Sequence, residues 1–119
     1  MTDQLFRVKV RVQTGMATID LYGEINAFAE AELNEAYSQV ESSNPSRIIL
    51  NFSEVQYINS TGIALIVGLL ARARKARRQM GVFGLSDHYV EIFQITRLAD
   101  FMAIYPDEAS AMQPGSFNL

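Results

Sequence analysis

The chain has 119 residues, 49% of them hydrophobic, and a formal net charge of −3, the profile of one compact domain able to bury its own core. It has no cysteine and a single histidine, His88. That excludes disulfides and thiolate chemistry, leaves too few ligands for the usual zinc sites, and the acidic balance argues against a general nucleic-acid binder.

Phe6, Val8, Val10 and Val12 alternate with Arg7, Lys9, Arg11 and Gln13, the period of a half-buried strand. Thr14-Gly15 signals a turn, and Ala17, Ile19 and Leu21 then alternate with polar neighbours. The chain is predicted to open with an antiparallel hairpin. Gly23-Glu24-Ile25-Asn26 interrupts the pattern, and Asn26 is placed to cap a helix. Ala29, Leu33, Ala36, Tyr37 and Val40 share one face of that helix, with Glu30, Glu32 and Glu35 off it. Ser42-Ser43-Asn44-Pro45 ends it. Ile48-Ile49-Leu50 reads as a strand covered on both sides, as parallel strands are.

Ser60-Thr61-Gly62 is predicted to open a long helix reaching about Gln79. A short strand over Val82–Leu85 follows, then a helix from about Asp87 to Ile95 presenting Tyr89, Ile92 and Phe93. A last strand over Phe101–Tyr105 leads to a short helix capped by Asp107 and ending near Met112. The core spans about 6–112, with 113–119 a tail containing Pro114 and Gly115. The order β-β-α-β-α-β-α-β-α predicts a single α/β domain whose mixed, mostly parallel sheet is packed by helices. Sites in such sheets form beyond the carboxyl ends of strands. That directs attention to the loops at Gly23–Asn26 and Tyr57–Gly62.

The segment Tyr57-Ile58-Asn59-Ser60-Thr61-Gly62-Ile63 resembles the signature of STAS domains, the family of bacterial anti-sigma factor antagonists, where the pattern is roughly aromatic-x-Asp-Ser-Ser/Thr-Gly-Leu. Gly23-Glu24-Ile25-Asn26 is similar to the family's Gly-Glu-Leu-Asp, and Arg47–Phe52 to its central strand. The resemblance implies that Ser60 is the phosphoacceptor, with Thr61 as the alternative. It implies that Gly23, Glu24, Ile25, Asn26, Asn59, Ser60, Thr61, Gly62 and Ile63 contact the partner. That partner would be an anti-sigma factor that is also a serine kinase, and a separate serine phosphatase would act on the phosphoform. Two positions depart from the pattern: Asn59 and Asn26 stand where the family has acids, removing negative charge where a kinase docks. The same family includes subunits of lipid-transport ABC complexes and of signalling scaffolds, which need no phosphate cycle.

Physically, Ser60 can cap the helix it opens, and a phosphate on it would meet the free amides and positive end of that helix. Gly62 serves either the close approach of a partner or close packing against the sheet. Arg72, Arg74, Lys75, Arg77 and Arg78 cluster at the end of the long helix, favourable against its negative end, with a docking patch as the sharper reading. The chain lacks a Gly-x-Ser-x-Gly elbow and a Walker loop, and His88 is its sole imidazole. The expectation is a regulatory binding module, not an enzyme, with no cofactor of its own. No signal-peptide pattern opens the chain, and its longest apolar stretch, Ile63–Ala71, is too short to span a bilayer. A cytoplasmic setting without membrane insertion or direct nucleic-acid contact is expected.

Overall fold

The structure, a computed structural model, describes residues 5–113, so the predicted tail beyond Gln113 lies outside it. Among the described residues five strands form one sheet: β1 (Arg7–Gln13), β2 (Met16–Ile25), β3 (Arg47–Ile58), β4 (Gln79–Phe83) and β5 (Ala103–Tyr105). They lie side by side in chain order. β1 is antiparallel to β2, and every later pair is parallel. The helices are α1 (Glu30–Glu41), α2 (Ser60–Lys75), α3 (Asp87–Ile95) and α4 (Glu108–Met112). The predicted order holds.

The alternation of side chains assigns the two faces of the sheet. Ala17, Ile19 and Leu21 of β2 and Ile48, Leu50 and Phe52 of β3 join the main core. That core includes Leu33, Ala36, Tyr37 and Val40 of α1, Ile66, Leu69, Leu70 and Ala73 of α2, and Tyr89 and Phe93 of α3. Phe52 and Phe93 meet edge-to-face with centroids 5.9 Å apart, a favourable aromatic geometry. On the opposite face Met16, Ile49 and Phe83 form a smaller cluster beneath Ala111 of α4.

A polar clamp holds α4 to this second face. Arg11 donates to both carboxylate oxygens of Asp20 at 2.8 Å and to Glu108 Oε2 at 2.8 Å, while Asn51 Nδ2 donates to Asp20 Oδ1 at 2.7 Å. Asp20 is buried. Burial alone would raise its carboxyl, but the hydrogen bonds from Arg11 and Asn51, with the charges of Arg11 and Lys9, outweigh that and hold it below the usual aspartate range. The Arg47 guanidinium adds hydrogen bonds to the carbonyls of Ala111 and Gln113.

Several boundaries differ from the sequence reading. β3 runs on to Ile58, six residues past Phe52, because its second half pairs with β2 from Tyr22 to Ile25. α2 stops at Lys75, and Gln79 already belongs to β4; Arg77 takes a left-handed φ of 61°, so the helix ends with no glycine to announce it. β5 begins only at Ala103, because Leu98–Asp100 form a 3-10 turn after Arg97 at φ 69°. The basic cluster is partly structural. Arg72 pairs with Glu41 at 2.9 Å and lies over the Tyr37 ring at 4.4 Å. Arg78 donates to Asn44 Oδ1 and the Pro45 carbonyl, and Arg74 sits over the Phe101 ring.

Candidate functional site

The extension of β3 builds the site. Its pairing with β2 brings Glu24 opposite Tyr57 and Ile25 opposite Ile58, and the Asn59 amide donates to the Ile25 carbonyl at 3.2 Å. The two loops singled out from the sequence are therefore neighbours at the carboxyl end of adjacent parallel strands. Ile58 is fixed from below by Tyr89, whose hydroxyl accepts from the Ile58 amide at 2.8 Å and donates to its carbonyl at 3.4 Å. Tyr89 sits on α3, and the sequence marked it only as an apolar-face residue. A hydroxyl reaching a backbone 31 residues away leaves no sequence signal.

Ser60 does not cap α2. Asn59 does: its Oδ1 accepts from the Gly62 amide at 2.8 Å, and its carbonyl accepts from Ile63. Ser and Asn are comparable caps, so sequence alone could not rank them. Ser60 becomes the first helical residue, exposed, its hydroxyl without a hydrogen bond among the described residues. Thr61 beside it is exposed too. The Ser60 and Thr61 amides lie in the first turn, where the helix supplies no acceptor. Asn26 acts alike one loop away, its Oδ1 accepting from Phe28 at 2.9 Å to cap the 3-10 turn Ala27–Ala29. Both residues that replace the expected acids therefore keep a capping function without a charge.

The glycines of the motif face inward. A Cβ on Gly62 would fall 2.8 Å from the Ile25 carbonyl carbon, nearer still to its oxygen, and 2.9 Å from Ile58 Cγ2. Gly62 is buried, and its close packing against the sheet leaves no room for a Cβ. Gly23, at φ 96°, has the Leu5 carbonyl oxygen 2.6 Å from where its Cβ would be. Ile25 is fully buried. Ile25 and Gly62 therefore shape the site from beneath, while Gly23 is half-exposed and presents backbone only. Glu24, Asn26, Asn59 and Ile63 are half-exposed, and Ser60 and Thr61 exposed.

From Ser60 the outward face of α2 continues through Ala64, Val67, Gly68 and Ala71, all exposed and uncharged, before Arg74 and Lys75. An exposed helix face is ordinarily polar. Gly68 meets nothing within 4 Å of a would-be Cβ, so the fold itself does not require it. His88 is exposed beside Tyr89 at the start of α3. Among the described residues no group of three or more His, Cys, Asp or Glu is placed to hold a metal ion, and no helix is long and apolar enough to cross a membrane.

The sequence profile of the STAS domain matches residues 7–111, spanning both loops and every strand. The chain belongs to the STAS domain family. Among its relatives is an anti-sigma-B factor antagonist of Listeria monocytogenes, 32% identical over 88 residues that cover 72% of this chain and 77% of the relative. The crystal structure of an anti-sigma factor antagonist from Mycobacterium paratuberculosis matches with a TM-score of 0.79 at 19% identity, covering 93% of this STAS domain and 94% of that chain. The Bacillus cell fate determinant SpoIIAA, solved in a phosphorylated form, matches with a TM-score of 0.67 at 20% identity, over 90% and 96% of the two chains. The shared architecture is that of the sheet and helices described above.

Proposed function

We propose that this STAS domain is an anti-sigma factor antagonist working in the cytoplasm as a partner switch at Ser60. The observation that carries the reading is the exposed Ser60 hydroxyl at the first position of α2, without a hydrogen bond among the described residues and next to two amides without helical acceptors. Unmodified, Ser60 and the apolar outward face of α2 receive an anti-sigma factor that is also a serine kinase. Glu24, Asn26, Asn59, Thr61 and Ile63 complete the contact; Gly23, Ile25 and Gly62 hold its shape. The kinase brings ATP and transfers its γ-phosphoryl to the Ser60 oxygen; the bond to ADP breaks and the hydroxyl proton is lost. The added charge of about −1.5 to −2 is met by the helix end. The fold stays intact while charge and bulk cover the contact, and the partner leaves. A serine phosphatase restores the hydroxyl. The domain is the substrate of these steps and catalyses none of them. Support comes from the named relatives and from the phosphorylated form known for the Bacillus neighbour.

The test is a pull-down from native lysate with wild type, Ser60→Ala and Ser60→Asp baits, read by mass spectrometry and repeated with the phosphorylated protein. A serine-kinase-type anti-sigma factor held by the first two and lost with Ser60→Asp and phosphoserine supports the switch. An ABC-transporter ATPase held equally by all would replace it with a transport-subunit role, and a large assembly of STAS proteins with a scaffold role.

A further inference from the structure

We infer that a groove beside the Ser60 face receives a basic amphipathic segment of the partner, anchored on Phe28. The inference rests on the partner-switch reading and adds a second contact to it. Phe28 is 92% exposed and Leu5 66%. Capping by Asn26 fixes the 3-10 turn that carries Phe28. Between these two residues lies a groove of about 720 Å³, also lined by Phe6, Arg7, Glu24, Asn26 and Glu32. It continues along the seam of β1 and α1, where Glu32 and Glu35 stand beside Val8 and Val10. The floor is apolar, and the rim sets the carboxylates of Glu24, Glu32 and Glu35 against the single guanidinium of Arg7.

Charge complementarity defines the occupant. Glu24, Glu32 and Glu35 make no ion pair among the described residues, and Arg7 at the groove's edge lies over the Tyr22 ring at 4.8 Å. A segment presenting an apolar face to Phe28, Leu5 and Val8, flanked by lysine or arginine, satisfies both the apolar floor and the carboxylates. An acidic or purely apolar segment leaves those carboxylates repelled or unpaired. Exposed aromatic anchors of this kind dominate binding where they are covered. Glu24 lines the groove and pairs in the sheet with Tyr57, which leads into the Ser60 loop, so one partner can engage both.

The experiment uses the full chain, isotope-labelled, titrated with two synthetic amphipathic peptides of equal length and identical leucine spacing, one carrying lysines and one glutamates. The expected result is binding of the lysine peptide only, with amide shifts centred on Phe28, Glu24 and Glu32. Phe28→Ser and the double change Glu24→Gln with Glu32→Gln should each weaken it about tenfold or more, as should added salt. Phe28 is too exposed for its loss to unfold the chain, and an unchanged melting temperature checks this. Equal binding of both peptides, shifts centred elsewhere, or Phe28 shifts that grow with protein concentration alone, as for a second copy, would overturn the inference. A parallel arm measures Phe28→Ser against the anti-sigma factor recovered with Ser60→Ala. If Ser60→Asp releases that factor but Phe28→Ser does not weaken it, the groove assignment falls and the switch stands. If no such factor is recovered, the switch falls and the peptide titration still decides the groove's chemistry.

Discussion

Gly62 and Gly68 lie in the same helix, yet replacing each by alanine is predicted to act with opposite sign. At Gly62 the new Cβ would sit 2.8 Å from the Ile25 carbonyl carbon and 2.9 Å from Ile58 Cγ2, against an ordinary carbon contact of about 3.5–4.0 Å. Its nearest obstacles are backbone atoms of β2, so the start of α2 must withdraw by about 1 Å. Overpacking of that kind costs about 3 kcal/mol, of which the better helix propensity of alanine returns about 1 kcal/mol. The net loss of about 2 kcal/mol lowers the melting temperature of a domain this size by about 8 °C. At Gly68 nothing lies within 4 Å of the added Cβ, and only the propensity gain remains, about 0.5–1 kcal/mol or about 2–4 °C upward. Thermal unfolding followed by circular dichroism measures both. The same sign for the two variants, or a stabilised Gly62→Ala, would refute the packing argument for the start of α2. If the partner covers the outward face of α2, Gly68→Ala should also weaken binding while raising stability, a split that a purely structural glycine would not show.

Asn59→Ala removes the cap of α2 and should cost about 1 kcal/mol in denaturant unfolding. Asn59→Asp keeps the cap and gains about 0.3–1 kcal/mol against the helix end, but repels a phosphate on Ser60, so the phosphoform should lose that gain. Tyr89→Phe strands the buried Ile58 amide and should cost about 1–3 kcal/mol, whereas Tyr37→Phe removes a buried hydroxyl that has no hydrogen-bond partner among the described residues and should be neutral or stabilising. For Asp20 the folded carboxyl lies below its unfolded value. Its contribution is therefore complete above the unfolded value of about 3.9 and lost as pH falls through the folded one. Asp20→Asn should lower stability at neutral pH and flatten the acid limb of a stability–pH profile; an unchanged limb would contradict the clamp.

The elements with strong periodicity were legible because one physical cause dominated each. Leu33, Ala36, Tyr37 and Val40 recur at helical spacing because one side of α1 covers the sheet, with Ala29 of the preceding 3-10 turn in line with them, and all are buried. The alternation in β1 and β2 follows from the two unlike faces of the sheet. The second half of β3 was not legible: beyond Asn51 it pairs only with β2, and Ser53, Glu54, Gln56 and Tyr57 are exposed, so its pattern reads as loop. The ends of α2 were ambiguous for local reasons. Two good caps stand side by side at its start, and its end rests on Arg77 in a conformation that arginine seldom takes. The motif residues were found, but not which way they face. The inward packing of Gly62 against Ile25 depends on contacts between segments far apart in the chain.

The switch itself is tested most directly by producing the chain with phosphoserine at position 60 and comparing it with the unmodified chain for affinity toward the recovered anti-sigma factor. Titration calorimetry gives the affinity and thermal unfolding the state of the fold. Phosphorylation should cost about 100-fold or more in affinity with a melting temperature unchanged or slightly raised. Equal affinity of the two forms, or a phosphorylated chain that unfolds, would contradict it.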